Sequence, residues 1–360
     1  MNKPSLNRSA IEQLDKLGLA PDTHQVALAC ALLWTFRTNT DVHRLLALTG
    51  LASSAGKAFT AGDVKSATQK LRESGLLVDE PSRATTFHLV DALRAPLYRQ
   101  LLETHPGSTL AQLIADLDHF DPSRSTYYWP TASVPTTIAY VRARFYSGAP
   151  SEELSHLKNV LSRSMEWSQI MVKAILLPFD GPSFERIEPL WRSRLAYQAV
   201  ATLCLYWAPE YLSIAEWAGN QLRRHPEDLS DDLCLTLGDL AVQRGDSDLL
   251  HAALPELEDG LAAGLRAAAL VAEGRWADGQ AAFEAALKQR KSEIGGTKNL
   301  LPLSFAWLYP LSLLAQSTPR HLELARRFCA GEAGKRDPSP HDSWGRWVHA
   351  IDVRLGKTSI

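Results

Sequence analysis

From Pro135 to about Leu355 the chain reads as one amphipathic helix after another. Apolar residues recur three and four positions apart, and short breaks such as Ser147-Gly148-Ala149-Pro150, Asp180-Gly181-Pro182 and His225-Pro226 separate the runs. No stretch of this part alternates with the period of two that a half-buried strand requires. A chain patterned this way buries its apolar stripes by packing helix on helix, so the expected class is mainly α. At 360 residues it is too long for one ordinary core, and its hydrophobic content of 45% with 22% charged residues is that of a folded protein.

Within the helical part the spacing repeats. Leu237-Gly238-Asp239-Leu240 leads to Gly245, and Leu250, Leu254 and Leu257 then fall on one face. From Ala267 the arrangement recurs as Leu270, Gly274 and Trp276, followed by Gly279, Phe283, Ala286 and Leu287. A glycine ends the first helix, small residues let the second approach closely, and a large side chain one turn on fills the groove. These two units resemble the tetratricopeptide repeat. They lie 29 residues apart from Gly245 to Gly274, against a family period of roughly 34, and so read as divergent hairpins. Leu190–Trp207 with Pro209–Leu222, and Leu303–Ala315 with His321–Phe328, read as further hairpins.

The first hundred residues are organised differently. Apolar positions Val26, Ala29, Leu33 and Phe36 mark one helix, and Val42, Leu45, Leu46 and Leu48 a second that ends at Gly50. Asp63 is placed to cap a third, which carries Val64, Ala67 and Leu71 and stops at Gly75. Two extended runs, 76–78 and 86–89, flank the polar turn Asp79-Glu80-Pro81-Ser82-Arg83, and Arg94 to Glu103 supplies another helix. Three helices followed by a two-stranded ribbon is the layout of a winged helix. The expected domains are therefore a winged-helix-like unit over 1–105 and a helical-repeat unit over 106–360, an α-solenoid of tetratricopeptide-like hairpins.

Charge limits what such a chain recruits. The formal net charge is −2, so nucleic acid binding needs a local patch rather than a global field. The third helix of the winged-helix segment offers Lys65, Gln69, Lys70 and Arg72, and the wing offers Arg83, as phosphate contacts, with Gln69 able to reach a base edge. Residues 1–105 carry 12 Lys and Arg against 10 Asp and Glu, little excess for a duplex-binding domain.

Other motifs point to structure rather than chemistry. Gly50 to Ala58 superficially matches a phosphate loop, but five residues separate Gly50 from Gly56 and Ala58 follows Lys57 where Ser or Thr is needed, so a turn is expected. Asp116, Asp118, His119 and Asp121 lack the glycine and distal glutamate of a calcium loop. Tyr127-Tyr128-Trp129 beside Arg124 suits packing better than base stacking. Trp344, Trp347 and Ile351 read as the apolar face of a closing helix bordered by His341 and His349. The 11 histidines include no His-x-x-x-His pair. Cys30, Cys204, Cys234 and Cys329 form no Cys-x-x-Cys pair and read as buried hydrophobes. No cofactor or metal is expected. Without a signal-like N-terminus or a membrane-length apolar run, a cytoplasmic protein without membrane association is the expectation.

Two families resemble parts of the chain. Leu71-Arg-Glu-Ser-Gly-Leu-Leu-Val78 with Phe87-His88-Leu89 and Leu93 is similar to the winged-helix element of large signal-transducing regulators, where it links a nucleotide-binding domain to tetratricopeptide-like repeats. Leu177-Pro178-Phe179-Asp180, Pro189-Leu190 and the run from Leu301 to Leu314 resemble the non-motor N-terminal region of bacterial Swi/Snf-type DNA translocases. In that family an ATPase motor follows on the C-terminal side. This sequence contains neither a phosphate loop nor an Asp-Glu-x-His box, so the resemblance implies a fragment or standalone relative without motor activity. The expected function is a non-catalytic adaptor or regulatory module whose partner is a protein or a fused ATPase subunit. The alternative is a winged-helix DNA-binding regulator with a helical-repeat sensor domain.

Overall fold

The computed structural model describes residues 19–34, 37–81, 83–117, 119–120, 134–163, 166–254, 259–295, 304–333 and 343–357. The protein is mainly helical, and the only strands among these residues form one two-stranded sheet. The chain divides into two compact units, 1–195 and 196–360. The domain boundary expected after His105 falls inside the first unit.

In the first unit α1 (Pro21–Leu33) is the central helix. Every residue from Val26 to Leu33 is buried, so its surface is apolar all round and α2 (Asn39–Thr49), α3 (Ala61–Glu73), β2 and α4 (Asp91–Thr104) pack about it. Phe36, expected on this helix, lies outside the described residues. Thr38 with Asp41, and Thr60 with Asp63, form reciprocal capping boxes at the starts of α2 and α3. Asp63 is thus the third-position partner in the box and Thr60 is the cap: only at Thr60 is the backbone still extended while its hydroxyl accepts from the N–H of Asp63. Gly50 (φ 65°) closes α2 in the left-handed region, and the Gly50–Ala58 segment is a turn pinned by Ser53 and Lys57.

Strands β1 (Leu77–Glu80) and β2 (Arg83–Leu89) pair antiparallel, Leu77 opposite Leu89 and Asp79 opposite Phe87, with a register shift between Asp79 and Glu80. The strands thus run further into the polar segment than apolar content alone indicates. Arg37 adds a single bridge on the other edge of β2, exchanging two backbone hydrogen bonds of 2.8 and 2.9 Å with Phe87.

Helices α5 (Gly107–Leu117), α6 (Val134–Tyr146) and α7 (Ser151–Leu161) follow. Then come α8 (Trp167–Met171), which continues into a π-helical turn over Val172–Leu176, and α9 (Gly181–Phe184). Gly107 lies so close to Ser147 that a Cβ would come within 2.5 Å of its Cβ, which seats the start of α5 on the α6–α7 link. The division between units falls within α10 (Pro189–Tyr206).

The second unit is built from helix pairs. Its elements after α10 are α11 (Leu212–Arg224), α12 (Asp231–Arg244), α13 (Ser247–Ala252), α14 (Gly260–Ala272), α15 (Trp276–Glu293), α16 (Leu308–Gln316), α17 (Pro319–Ala333) and α18 (Ser343–Arg354). Gly245 (φ 66°) and Gly274 (φ 78°) end α12 and α14 in the left-handed region, as the glycine spacing anticipates. The α14–α15 hairpin is antiparallel and close. A Cβ on Gly279 would lie 2.4 Å from Val271, one on Gly260 would lie 2.8 Å from the backbone of Arg290, and Phe283 is fully buried one turn beyond Gly279.

Helix α13 ends at Ala252, so Leu254 does not share a helical face with Leu250. Pro255 follows, and a residue preceding proline is driven out of the helical region; Leu257 lies outside the described residues. Trp344 stacks on Trp307 with centroids 3.5 Å apart and planes 7° from parallel, and Phe328 and Tyr309 extend this aromatic cluster among α16, α17 and α18. Ile351 completes the buried face of the closing helix as its spacing predicts; His341 lies outside the described residues. Asp239, 2% exposed on α12, accepts from the backbone N–H of Phe305 at 2.8 Å and so fixes the 3-10 turn before α16.

Candidate functional site

Helix α10 ends in three consecutive large apolar residues that stand exposed among the described residues. Leu205 is 71% exposed, Tyr206 76% and Trp207 68%. On the same helix Ala199, Val200, Leu203 and Cys204 are buried, while Leu190 and Tyr197 are exposed like the terminal run. Trp207 caps it with φ 52° and donates its N–H to the carbonyl of Leu203 at 2.9 Å. For a residue other than glycine the left-handed region costs roughly 1 kcal/mol. With aromatic side chains of roughly 200 Å² each, the run exposes on the order of 400 Å², a patch size that is often functional. Tyr and Trp are also the residues that most often dominate protein–protein binding energy.

On α3 the expected nucleic-acid contacts separate. Lys65 and Lys70 are exposed and take part in no ion pair among the described residues. Gln69 is exposed but donates to Glu73 at 3.0 Å. Arg72 is half-buried: its Nε donates to Asp79 at 2.9 Å and its guanidinium sits 4.8 Å from the centroid of the Phe87 ring. Arg72 therefore ties α3 to the β-hairpin. The backbone of Arg83 begins β2 opposite Glu80, while its side chain lies outside the described residues.

No protein-family model, curated protein or solved structure matches the chain.

A third feature lies within the second unit. The ends of α12 and α14, the starts of α13 and α15, and one side of α16 enclose a groove of about 760 Å³. Leu308, Leu311 and Leu314 are half-buried along one wall, and Trp276 stands 42% exposed at the rim. Asp246 and Arg354 are the charged residues of the lining. In the first unit a smaller hollow of about 370 Å³ lies between α6 and α7, and within its lining Arg144 pairs with Glu153.

The remaining sequence candidates hold structural places or fall outside the described residues. Asp116 accepts from Gln112 at 2.7 Å on α5, and His119 follows with φ 52°. Asp118, Asp121, Arg124 and Tyr127-Tyr128-Trp129 lie outside. Among the described residues no three His, Cys, Asp or Glu side chains are placed to hold a metal, and no helix is long and apolar enough to cross a membrane. All four cysteines are free; Cys30, Cys204 and Cys329 are buried and Cys234 is half-buried. Burial pushes the first three thiols up to about 12, far from the reactive thiolate.

The sequence points to neither the α10 run nor the groove. Ala199 to Ala208 reads as a uniform apolar stretch, and the only local sign of its exposed end is the pair Trp207-Ala208 ahead of Pro209. The groove gathers residues from Ala241 to Arg354, and its one sequence trace is the three-residue spacing of Leu308, Leu311 and Leu314.

Proposed function

We propose that this protein is a non-catalytic adaptor or regulatory module that holds a protein partner, the ATPase subunit of a DNA-associated machine, through the exposed Leu205-Tyr206-Trp207 run. On this reading the first unit carries a winged helix used as a structural joint, and the second is a short solenoid of divergent tetratricopeptide-like hairpins. The uncovered run is the observation that carries the reading: three adjacent side chains of this size gain by leaving water against a partner. The resemblance of 177–180, 189–190 and 301–314 to translocase N-terminal regions supplies the kind of partner; of these, residues 301–303 lie outside the described part. Replacing Tyr206 and Trp207 with serine tests the reading, because the partner is then lost while the fold stays intact.

Lys65 and Lys70 favour a second reading, a DNA-binding regulator with a helical-repeat sensor domain. They are exposed, and make no ion pair among the described residues, on the helix that a winged helix lays in the major groove. Duplex binding that falls steeply with added salt, and is lost in the Lys65→Glu, Lys70→Glu double variant, selects this reading over the adaptor.

A further inference from the structure

We infer that the groove in the second unit binds a small amphipathic carboxylate, its aliphatic part lying on Leu308, Leu311, Leu314 and Trp276 and its carboxylate held by Arg354. Size, apolar lining and charge lead to this class of ligand.

The groove's volume, about 760 Å³, lies within the roughly 300–1,000 Å³ of small-molecule sites.

The leucines of α16 divide by face. Leu313 is fully buried in the core, whereas Leu308, Leu311 and Leu314, three apart on the opposite side, remain half-buried. With Val271 and Leu250 behind them they form an apolar wall that faces the groove instead of a neighbouring helix. Covering such a wall with hydrocarbon is favourable in proportion to the area removed from water.

The two charges of the lining are not equivalent. Asp246 is already engaged: one oxygen accepts from the N–H of Leu249 at 2.9 Å and the other lies 3.5 Å from Arg223. Arg354 is exposed and, among the described residues, makes one hydrogen bond, to the neutral hydroxyl of Ser317 at 3.2 Å. Its other donors have no partner among those residues, and a planar guanidinium matches a carboxylate in a two-bond fork. Among the described residues Arg354 is the only cation of the lining, so an anionic head belongs at that end and a cationic amphiphile is repelled there.

The inference is independent of what the α10 run binds. It is tested by titrating the full chain with decanoate, decanol and decyltrimethylammonium in a calorimeter. Decanoate is expected to bind one per chain, more tightly than decanol, with the ammonium compound weakest. Arg354→Met, on an exposed residue, is expected to weaken decanoate by roughly tenfold or more and to erase its advantage over decanol. Ala272→Trp, which fills the groove from its exposed rim, is expected to abolish both; Leu311→Gln serves if that variant does not fold. A terminally brominated decanoate in crystals should place its bromine along the α16 leucines. Equal binding of decanoate and decanol, binding untouched by Arg354→Met or by the groove variants, or a site seen elsewhere overturns the inference. So does failure of decanoate to bind where an acidic leucine-rich peptide succeeds.

Discussion

The guanidinium of Arg142 lies 3.6 Å from the centroid of the Trp34 ring, and no part of Arg142 reaches solvent. Trp34 ends α1 with φ 63°, so the chain turns sharply to place its indole there. Arg142 also donates to the carbonyl of Lys173 at 2.7 Å, in the π-helical turn, while its Nε and Nη1 have no hydrogen-bond partner among the described residues. Arg94 approaches the same ring at 5.2 Å. Burial, with Arg94 adding to it and Tyr146 and Tyr98 opposing, lowers Arg142 to about 9.

A buried guanidinium with open donors is held by stacking and volume more than by its charge. Arg142→Ala should cost about 3 kcal/mol or more, because it leaves a cavity beside Trp34 and removes the stack. Arg142→Met keeps much of the volume and removes the desolvation penalty, so it should cost under about 1.5 kcal/mol. Urea midpoints of the two variants check the order; equal losses contradict it.

Alkaline stability follows from the thiols. Burial holds Cys30, Cys204 and Cys329 up to about 12 and Cys234 up to about 11, from an ordinary 9.0. A group raised by folding contributes fully below its unfolded value and loses that contribution as pH climbs toward the folded one. Stability should therefore fall as pH rises above 9, with Tyr98 and Tyr146, also raised by burial, adding to the loss above 10. Arg142 and Arg94, lowered to about 9 and about 10, act in the opposite sense but are fewer. Urea midpoints at pH 7 and pH 10 should show the decline, and Cys30→Ala should make it shallower. A thiol reagent at neutral pH should modify the buried cysteines only after denaturant is added.

Two glycines should respond oppositely to alanine. In α15, Gly279→Ala drives a Cβ to 2.4 Å from a stiff, β-branched Val271, 3.3 Å from its backbone nitrogen. The expected loss is about 1–3 kcal/mol, against the roughly 1 kcal/mol that alanine normally gains over glycine in a helix. In α17, Gly331 has nothing within 4 Å of the corresponding position, so Gly331→Ala should stabilise by up to about 1 kcal/mol. Thermal midpoints moving the same way for both would contradict this packing.

On α3 the charges divide into two kinds. Arg72→Ala should destabilise by about 1 kcal/mol, since Arg72 bridges Asp79 and covers Phe87, whereas Lys65→Ala and Lys70→Ala should stay within about 0.5 kcal/mol. A loss of DNA binding in an Arg72 variant would thus mix folding with contact, and the lysines give the cleaner test.

Much of the helical architecture is legible from local signals. Gly50, Gly245 and Gly274 end helices where a left-handed residue is needed, and Gly279 and Phe283 announce the tight hairpin through small-then-large spacing. What the sequence hides is decided at long range. Arg142 looks like a surface charge on α6 until Trp34, more than a hundred residues earlier, is folded over it. The groove assembles from helix ends scattered between Ala241 and Arg354, and Leu205-Tyr206-Trp207 has the composition of a core yet stands exposed among the described residues.

The most direct test of the adaptor reading is capture of partners from native extract by the intact chain and by the Tyr206→Ser, Trp207→Ser variant, with bound proteins identified by mass spectrometry. Both side chains are exposed, so the variant should keep its thermal midpoint to within a degree or two. The account predicts that the wild-type chain retains an ATPase subunit in near-equal amount and that the variant loses it. Identical capture by both chains, or no ATPase partner alongside tight, salt-sensitive duplex binding, would contradict it.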